Sequence, residues 1–411
     1  MVQLRSRFSQ WIRGDFRLLL VGLILSRLLV LPWRVSLLVG SAKYYDYRHY
    51  FELAQMSAQG FYPYVHYWME YPPVFPWLVV AAYKVSVWLA TGPAAEACFY
   101  ALISGLLVAC EVGSFVLLYR LARVLSGPET AWRSALLYLL LFVPVYLWTG
   151  WFDSLPTFLL LSALYLLITQ RERLSAVAAG LGLVTKVFPA LALPLALCSL
   201  PGWPRKLVYS AIVAGVVGII VLPLLVVNSA MLWVSVQAML GRPSWETVWA
   251  ILEGYYGGGA VARFAQRLDP ASAIAGSHAS SLPWALVTLV FGLLYLVFYG
   301  RFWGTRNRLP IIAAAGFTLH LLLLYSKGYS PQYLTWLAPL LVIVFPNRRG
   351  AVYLGLLSLI NLLEYPGYFH FFPEQHALLA GIVLARAALL IVVALDYLAR
   401  ALPRRELVPT G

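Results

Sequence analysis

The chain has 411 residues, of which 62% are hydrophobic and only 11% are charged. Soluble domains have about 45–50% apolar and about 25% charged residues, so this composition excludes an ordinary soluble protein. The formal net charge is +14, yet no basic stretch interleaves with aromatic residues. We therefore predict no nucleic-acid partner.

Apolar runs follow one another from Phe16 to Leu398, which predicts an all-α polytopic membrane protein embedded in a lipid bilayer. We interpret residues 1–411 as a single transmembrane domain. The basic N-terminal segment has no small-residue cleavage site, so we expect a cytoplasmic anchor rather than a removed signal peptide. Helices are predicted near residues 16–40, 72–91, 98–121, 131–150, 155–170, 174–186, 188–200, 207–227, 283–302, 310–326, 332–346, 350–366 and 376–399.

Two apolar runs decide the predicted topology. If residues 72–91 crossed the membrane, several later arginines would lie opposite the basic N-terminus, so the positive-inside rule favours a juxtamembrane or re-entrant helix. Residues 174–200 are broken between Lys186 and Pro189 into two short helices, which a membrane tolerates only around a protein-walled or watery cavity. The prediction is about twelve membrane-crossing segments with both termini in the cytoplasm.

Polar groups collect on the outer face in this topology. The first outer loop, 41–97, contains Tyr44–Pro73, a stretch dense in tyrosine and in charged side chains. A long outer loop, 229–282, carries Arg242, Glu246 and three consecutive glycines. The cytoplasmic loops are short and contain no nucleotide-binding motif, so we expect the chemistry to take place outside.

Two acidic residues of the outer face are candidate site residues. Asp46 could act as a general base on an acceptor hydroxyl, and it could equally cap a helix that starts near Arg48. Asp153 could hold a sugar or a metal together with Asp46, whereas capping of the following helix is the simpler interpretation of its spacing. The residues themselves leave both alternatives open.

Other charged residues interrupt the apolar runs. Lys186 and Lys327 could each bind a phosphate as a point charge, because an ionisable residue at such a depth is a candidate for function. Arg27 and Glu111 are embedded in predicted spans, and we expect them to pair with one another. His320 is interpreted as a hydrogen-bonded core residue.

The first outer loop resembles that of the GT-C glycosyltransferases, particularly glycosyltransferase family 87. The resemblance rests on Asp46, Tyr50, Ala54, Gly60, Pro63, Tyr64, Tyr71, Pro72 and Pro73. The segments GWFDSLPTFLLLSALYLL and GLGLVTKVFPALALPLAL are similar to matching regions of that family and of the GPI-anchor first mannosyltransferase. SKGYSPQYLTWLAPLL resembles the family's outer element, so the resemblance extends from Lys43 to about Pro346.

The resemblance implies a GT-C fold, a polyprenyl-phosphate sugar donor, most often mannose, and a catalytic aspartate at Asp46. It implies substrate contacts at Asp153, and donor-phosphate contacts at Lys186 and Lys327. The predicted substrate-binding set also includes Arg48, His49, Glu70, Tyr71 and Gln332. Tyr44 replaces the first acidic residue of an Asp-x-Asp pair found in the GPI mannosyltransferase, so we predict no obligatory divalent metal and no other cofactor.

The predicted function is an inverting hexosyltransferase that moves a sugar, mannose by the resemblance, to a hydroxyl of a glycolipid or lipid-linked glycan. We expect an integral protein of the plasma (inner) membrane with its active site on the extracytoplasmic side. The alternative is a secondary transporter or flippase, favoured by the break at Lys186 and opposed by the lack of an internal repeat. A ligase that transfers a larger glycan or an aminosugar is also left open.

Overall fold

A computed structural model describes residues 15–38, 45–141, 152–259, 264–274 and 280–402. Every regular element in these ranges is a helix, which confirms the predicted all-α class. The predicted cytoplasmic anchor at residues 1–14 and the end of the predicted helix 131–150 lie outside the described residues.

The helices follow the predicted apolar runs closely. In chain order they are α1 Phe16–Leu38, α2 Tyr45–Gln55, α3 Val74–Leu89, α4 Gly92–Ser126, α5 Pro128–Leu141, α6 Ser154–Ile168, α7 Glu172–Leu183, α8 Ala192–Ser199, α9 Trp203–Gly241, α10 Val248–Leu252, α11 Phe264–Arg267, α12 Trp284–Phe302, α13 Arg308–Tyr325, α14 Leu334–Val344, α15 Arg348–Leu362 and α16 His376–Ala401. Short 3-10 helices cover Met56–Gln59, Phe188–Leu191, Pro270–Ile274 and Pro331–Tyr333, and a π-helix covers Leu363–Phe371.

Among the described residues, five helices are long and apolar enough to cross a membrane, namely α4, α9, α12, α13 and α16. They confirm a multi-pass membrane protein. Helix α3 has 16 residues, which rise about 24 Å against a hydrocarbon core of about 30 Å. This length fits a juxtamembrane or re-entrant helix, and the number of crossings beyond these five helices stays a prediction.

The largest apolar core runs through α4, α6, α13 and α14, and α16 packs along α13. Inside the bundle, Arg27 of α1 and Glu111 of α4 form the predicted pair, with Nη2 2.6 Å from Oε1 and both side chains only 1% exposed. His320 is buried and its Nδ1 lies 2.8 Å from the carbonyl oxygen of Gly316, as expected of a hydrogen-bonded core histidine.

The predicted break in residues 174–200 is confirmed. Helix α6 starts after Asp153, and α7 packs against it on its way back to Leu183. The chain then passes through Lys186 into the 3-10 turn and the short helix α8. This hairpin returns Lys186 to the end of the bundle at which α6 begins.

The predicted outer loop 229–282 is helical at its start, because α9 continues to Gly241. Asn228 interrupts α9 with a non-helical φ of −154° and ψ of 84°. Its side-chain oxygen accepts a hydrogen bond from the Met231 N–H at 3.1 Å, so the residue that ends one helical segment caps the next. The expectation of a loop is therefore corrected for residues 229–241.

The first outer loop packs on this second half of α9 and on the segment around Arg267. The Met69 N–H donates to Ser235 Oγ at 3.0 Å, and the Trp68 N–H donates to the carbonyl oxygen of Arg267 at 3.1 Å. These hydrogen bonds join the two outer loops into one structure above the helices.

Candidate functional site

A cavity of about 350 Å³ lies where the first loop, the start of α6 and the ends of later helices meet. This volume is in the range of small-molecule sites, roughly 300–1,000 Å³. The lining residues are Tyr50 and Tyr71, Phe152 and Asp153, Lys186, Arg242, Trp245 and Glu246, Gly258 and Gly259, Ser330, Pro331, Gln332 and Tyr333, and Tyr365 and Phe369. Four predicted site residues therefore share one cavity, namely Asp153, Lys186, Tyr71 and Gln332.

A larger cleft, of about 870 Å³, lies at the opposite end of the α6–α7 hairpin. Its walls come from the starts of α7 and α9, with Arg171, Arg173 and Arg205 among them. None of the predicted site residues whose side chains the structure describes lines this cleft, so the smaller cavity is the candidate site.

Asp153 does not cap α6, although it stands directly before the first helical residue. Its backbone is already helical and its side chain makes no capping hydrogen bond. Instead, Asp153 Oδ1 lies 2.6 Å from Lys186 Nζ and accepts a hydrogen bond from Trp336 Nε1 at 2.6 Å. The carboxylate is thus held by two donors from distant parts of the chain.

Lys186 lies among aromatic rings as well as beside a carboxylate. Its Nζ is 4.7 Å from the ring centroid of Trp336, 4.8 Å from that of Phe152 and 5.0 Å from that of Tyr333. Rings at these distances attract a cation through their quadrupoles. The side chain is 16% exposed, so the ammonium group is fixed in position and still reaches the cavity.

Tyr71 and Gln332 contribute the other two predicted groups. The Tyr71 ring packs edge-on against Phe152 at 5.2 Å, and its carbonyl oxygen accepts a hydrogen bond from the Tyr64 hydroxyl. Among the described residues, the buried Oε1 of Gln332 has no hydrogen-bond partner. Because a buried polar atom is normally paired, this amide is well placed to meet a ligand.

Asp46 lies in the first turn of α2, which begins at Tyr45 rather than near Arg48. Its side chain is outside the described residues, so the choice between general base and helix cap stays open. Tyr50 follows Asp46 by one helical turn and lines the cavity. The role of Asp46 therefore stays a prediction.

Three predicted substrate-binding residues do not line the cavity. Arg48 is exposed and pairs with Glu52 one turn later at 2.7 Å. His49 and Glu70 are buried around Arg267, whose Nη2 lies 2.9 Å from His49 Nε2 and 2.7 Å from Glu70 Oε1. This cluster cross-links the two outer loops, and its contacts are with protein groups rather than with the cavity.

The Arg267 cluster is electrostatically tuned. Burial and the charge of Arg267 lower the pKa of His49 to about 4, so the imidazole is neutral at pH 7. Burial alone would raise the pKa of Glu70, but the charge and hydrogen bonds of Arg267 outweigh it and lower the pKa to about 2. The cluster therefore holds one buried ion pair and one neutral histidine.

Lys327 also lies away from the cavity. Its Nζ donates to the carbonyl oxygen of Leu240 at 3.0 Å and lies 5.0 Å from the ring centroid of Trp284. Burial lowers the pKa of Lys327. The backbone of Lys327 is nearer the site. Its carbonyl oxygen accepts a hydrogen bond at 3.0 Å from the N–H of Trp245, which lines the cavity.

Arg242, Trp245 and Glu246 also line the cavity. From the sequence we predicted only that they lie in an outer loop. The Arg242 guanidinium stacks on Trp245 at 4.2 Å, and a Cβ at Gly259 would lie 2.9 Å from the Trp245 Nε1. Glu246 has a positive φ of 53°, which costs a non-glycine residue about 1 kcal/mol or more. The RPSWE stretch with glycines shortly after it was the only available signal, and it is too short to indicate a site.

In the part of the chain that the structure describes, no group of three or more His, Cys, Asp or Glu side chains could hold a metal ion. The Asp46 side chain lies outside that part of the chain. The absence of an obligatory metal therefore stays a prediction.

The helices and the cavity together define a polytopic all-α membrane protein with a polar, aromatic-walled site at one end of its bundle. No protein-family model matches the sequence, and no curated protein matches it. Among solved structures, the chain is similar to the crystal structure of the Archaeoglobus fulgidus oligosaccharyltransferase in the apo form. The identity is 14% and the TM-score 0.44, over 94% of this chain and 56% of that chain. The present chain thus spans little more than half of that protein's length.

Proposed function

We propose that the chain is a membrane glycosyltransferase that transfers a sugar from a polyprenyl-phosphate donor to a hydroxyl acceptor. The observation that carries this proposal is the pairing of Asp153 with Lys186 in the wall of the 350 Å³ cavity. A fixed ammonium group suits a phosphate. The aromatic walls, including Tyr71, offer flat apolar surfaces to the face of a sugar.

The proposed reaction is a single displacement with inversion at the anomeric carbon. Asp46 takes the proton of the acceptor hydroxyl, whose oxygen forms the new bond to that carbon while the bond to the donor phosphate oxygen breaks. Polyprenyl phosphate leaves with the bonding electron pair. Lys186 stabilises the charge that develops on the leaving oxygen, because its position is set before the reaction by Asp153 and the surrounding rings.

Finer features of the proposal rest on the resemblance to family 87. By that resemblance the sugar is mannose and the acceptor is a glycolipid or a lipid-linked glycan. The site faces the extracytoplasmic side of the plasma (inner) membrane, because the positive-inside rule assigns the short basic loops to the cytoplasm.

The test uses the full chain in lipid nanodiscs with total membrane lipids and radiolabelled polyprenyl-phosphate mannose. We expect the native chain to form a labelled glycosylated lipid, and the Lys186→Met variant to form it at least about 100-fold more slowly. Polyprenyl-phosphate glucose serves as a second donor that tests the choice of sugar. The absence of any labelled product with either donor would contradict the proposed transfer reaction.

A flippase or transporter remains the second candidate, favoured by the broken α7–α8 pair beside the cavity. Sealed vesicles that contain the protein and labelled donor distinguish the two functions. A transporter moves unchanged donor between the leaflets, whereas a glycosyltransferase converts it to product on one face.

A further inference from the structure

We propose that Glu246 is held as a neutral carboxylic acid and donates a hydrogen bond to an anionic oxygen of a phosphate ligand in the cavity. The proposal rests on the proposed function, since the phosphate is that of the prenyl-phosphate donor. It assigns a binding residue that the resemblance does not name. Three observations support it: the place of Glu246 in the cavity wall, an oxygen without a partner among the described residues, and the charges around this residue.

Glu246 is buried in a turn that the surrounding structure holds firmly. The Tyr329 N–H donates a hydrogen bond to the carbonyl oxygen of Trp245 at 3.2 Å. The Thr247 hydroxyl donates one to the carbonyl oxygen of Lys327 at 3.1 Å. Arg386 donates to the carbonyl oxygen of Glu246 itself. These contacts maintain the positive φ of Glu246 and fix its side chain in the cavity wall.

The side chain of Glu246 lacks the partners that a buried carboxylate needs. The residue is 6% exposed, and its Oε2 has no hydrogen-bond partner among the described residues. Gly259 supplies one backbone hydrogen bond to the carboxyl group. A buried, ionised carboxylate normally has several donors or a direct ion pair, whereas the O–H of a neutral acid is itself a donor that can meet a ligand.

The charges around Glu246 favour the neutral form. Among the described residues, the charged and titratable side chains that face it or share its cavity are Glu364, Arg386, Arg242, Asp153, Lys186, Tyr329, Tyr333, Tyr50, Tyr71 and Tyr365. Arg386 makes its side-chain ion pair with Glu364, so two buried carboxyl groups share one guanidinium group. Burial and the Glu364 carboxylate raise the pKa of Glu246 well above its ordinary value, although Arg386 and Gly259 oppose them.

The protonation state of Glu246 decides how this residue interacts with an anion in the cavity. Among the described residues that line the cavity, Lys186 and Arg242 are positively charged and Asp153 is negatively charged. An ionised Glu246 would repel a phosphate oxygen, so protonation converts a repulsive group into a donor.

The experiment compares the native chain in nanodiscs with Glu246→Gln, Glu246→Ala and Glu246→Asp. Farnesyl phosphate is the probe, with inorganic phosphate as a second probe, and binding is measured by calorimetry from pH 5.5 to 9. Infrared difference spectra of the native chain and Glu246→Gln report the C=O band of a protonated carboxyl group. The Gln amide keeps a donor and nearly the same shape but cannot titrate.

We expect the protonated-carboxyl band at pH 7 in the native chain and its loss in Glu246→Gln. Glu246→Gln should bind farnesyl phosphate within about 3-fold of the native chain, whereas Glu246→Ala should bind at least about 10-fold more weakly. Native binding should weaken as pH rises through the raised pKa. The probe itself also titrates, because its second proton leaves near pH 6. The pH dependence of binding to Glu246→Gln measures this contribution, since the Gln amide does not titrate.

Two results would overturn the proposal. The first is the absence of the protonated band at pH 7, whatever the protein binds. The second is a Glu246→Gln variant as weak as Glu246→Ala, which would indicate that an anionic oxygen is required. If the band is present but no variant binds farnesyl phosphate, the phosphate ligand is wrong, and the proposed donor class fails separately from the protonation of Glu246. Binding of inorganic phosphate alone would assign the cavity to a free anion rather than to a prenyl phosphate.

Discussion

Lys186 Nζ lies 2.6 Å from Asp153 Oδ1, an oxygen that also accepts a hydrogen bond from the indole of Trp336. The pair joins the start of α6 to the break after α7, and both residues line the candidate cavity. The Asp153 side chain is 3% exposed. Removing one partner of such a pair leaves a buried charge uncompensated, which typically costs about 3–5 kcal/mol.

This relationship predicts that Lys186→Met lowers both stability and sugar transfer, whereas the double variant Asp153→Asn/Lys186→Met recovers stability only. The loss of kcat should be about 100-fold or more, because a positioned cation is lost from the leaving phosphate. Thermal melting and sugar transfer in nanodiscs measure the two effects. Lys84→Met is the matched control, since Lys84 donates to the carbonyl oxygen of Ser57 away from the cavity.

Recovery of activity together with stability in the double variant would show that the pair is only structural. Lys327→Met extends the comparison to the other lysine predicted from the sequence. Its loss of activity should be smaller than that of Lys186→Met, because the Lys327 ammonium group points to Leu240 and Trp284.

Asp46→Asn should reduce kcat by about 10²–10⁴-fold with little change in KM, because the amide cannot accept the acceptor proton. Steady-state transfer rates with the labelled donor check this prediction. Glu52→Gln is the control, since Glu52 lies in the same helix and pairs at the surface with Arg48. An Asp46→Asn protein that folds and transfers sugar at the native rate excludes Asp46 as the base.

Gly328→Ala should disrupt the site by displacing the Trp245 ring. A Cβ at Gly328 would lie 2.0 Å from the Trp245 ring, so the ring and the adjoining Glu246 would have to move. Overpacking of this kind costs roughly 1–3 kcal/mol, and transfer activity should fall with the melting midpoint. Gly292→Ala in α12 meets nothing within 4 Å and should leave both unchanged or raise stability slightly. Equal behaviour of the two variants would contradict the close approach at Gly328.

Acid should weaken the junction of the outer loops in two separate ranges of pH. The pKa of His49 is about 4 in the folded chain against an ordinary 6.5, so the unfolded chain binds the proton first and stability falls as pH drops from 6.5 to 4. The pKa of Glu70 is about 2 against 4.5, so its contribution is lost as pH drops below 4.5.

Melting midpoints between pH 2 and 8 test both parts of this prediction. His49→Gln should flatten the profile between pH 4 and 6.5, because the amide does not titrate. His370→Gln changes an exposed histidine and should leave the profile as it is. A His49→Gln profile with the native slope would show that another group titrates in this range.

Local residue patterns predicted the helices well and the site only in part. Apolar runs end where polar residues begin, so most helix boundaries could be predicted within a few residues, including the break at Lys186. Asn228 misled the prediction because a polar residue in an apolar run can either end a helix or cap its continuation. Which of the two occurs depends on a tertiary hydrogen bond, here from Asn228 to the carbonyl oxygen of Val65 at 2.9 Å.

The sequence by itself determined a membrane-embedded helical protein, because hydrophobic length and charge placement are properties of single segments. It also marked Asp153, Lys186, Tyr71 and Gln332, which share the cavity. Only the tertiary structure decided that His49 and Glu70 belong to Arg267, and that Lys327 lies away from the site while Glu246 lines it. A side chain's surroundings are set by contacts between distant segments, and for Glu70 and Arg267 those segments lie almost 200 residues apart.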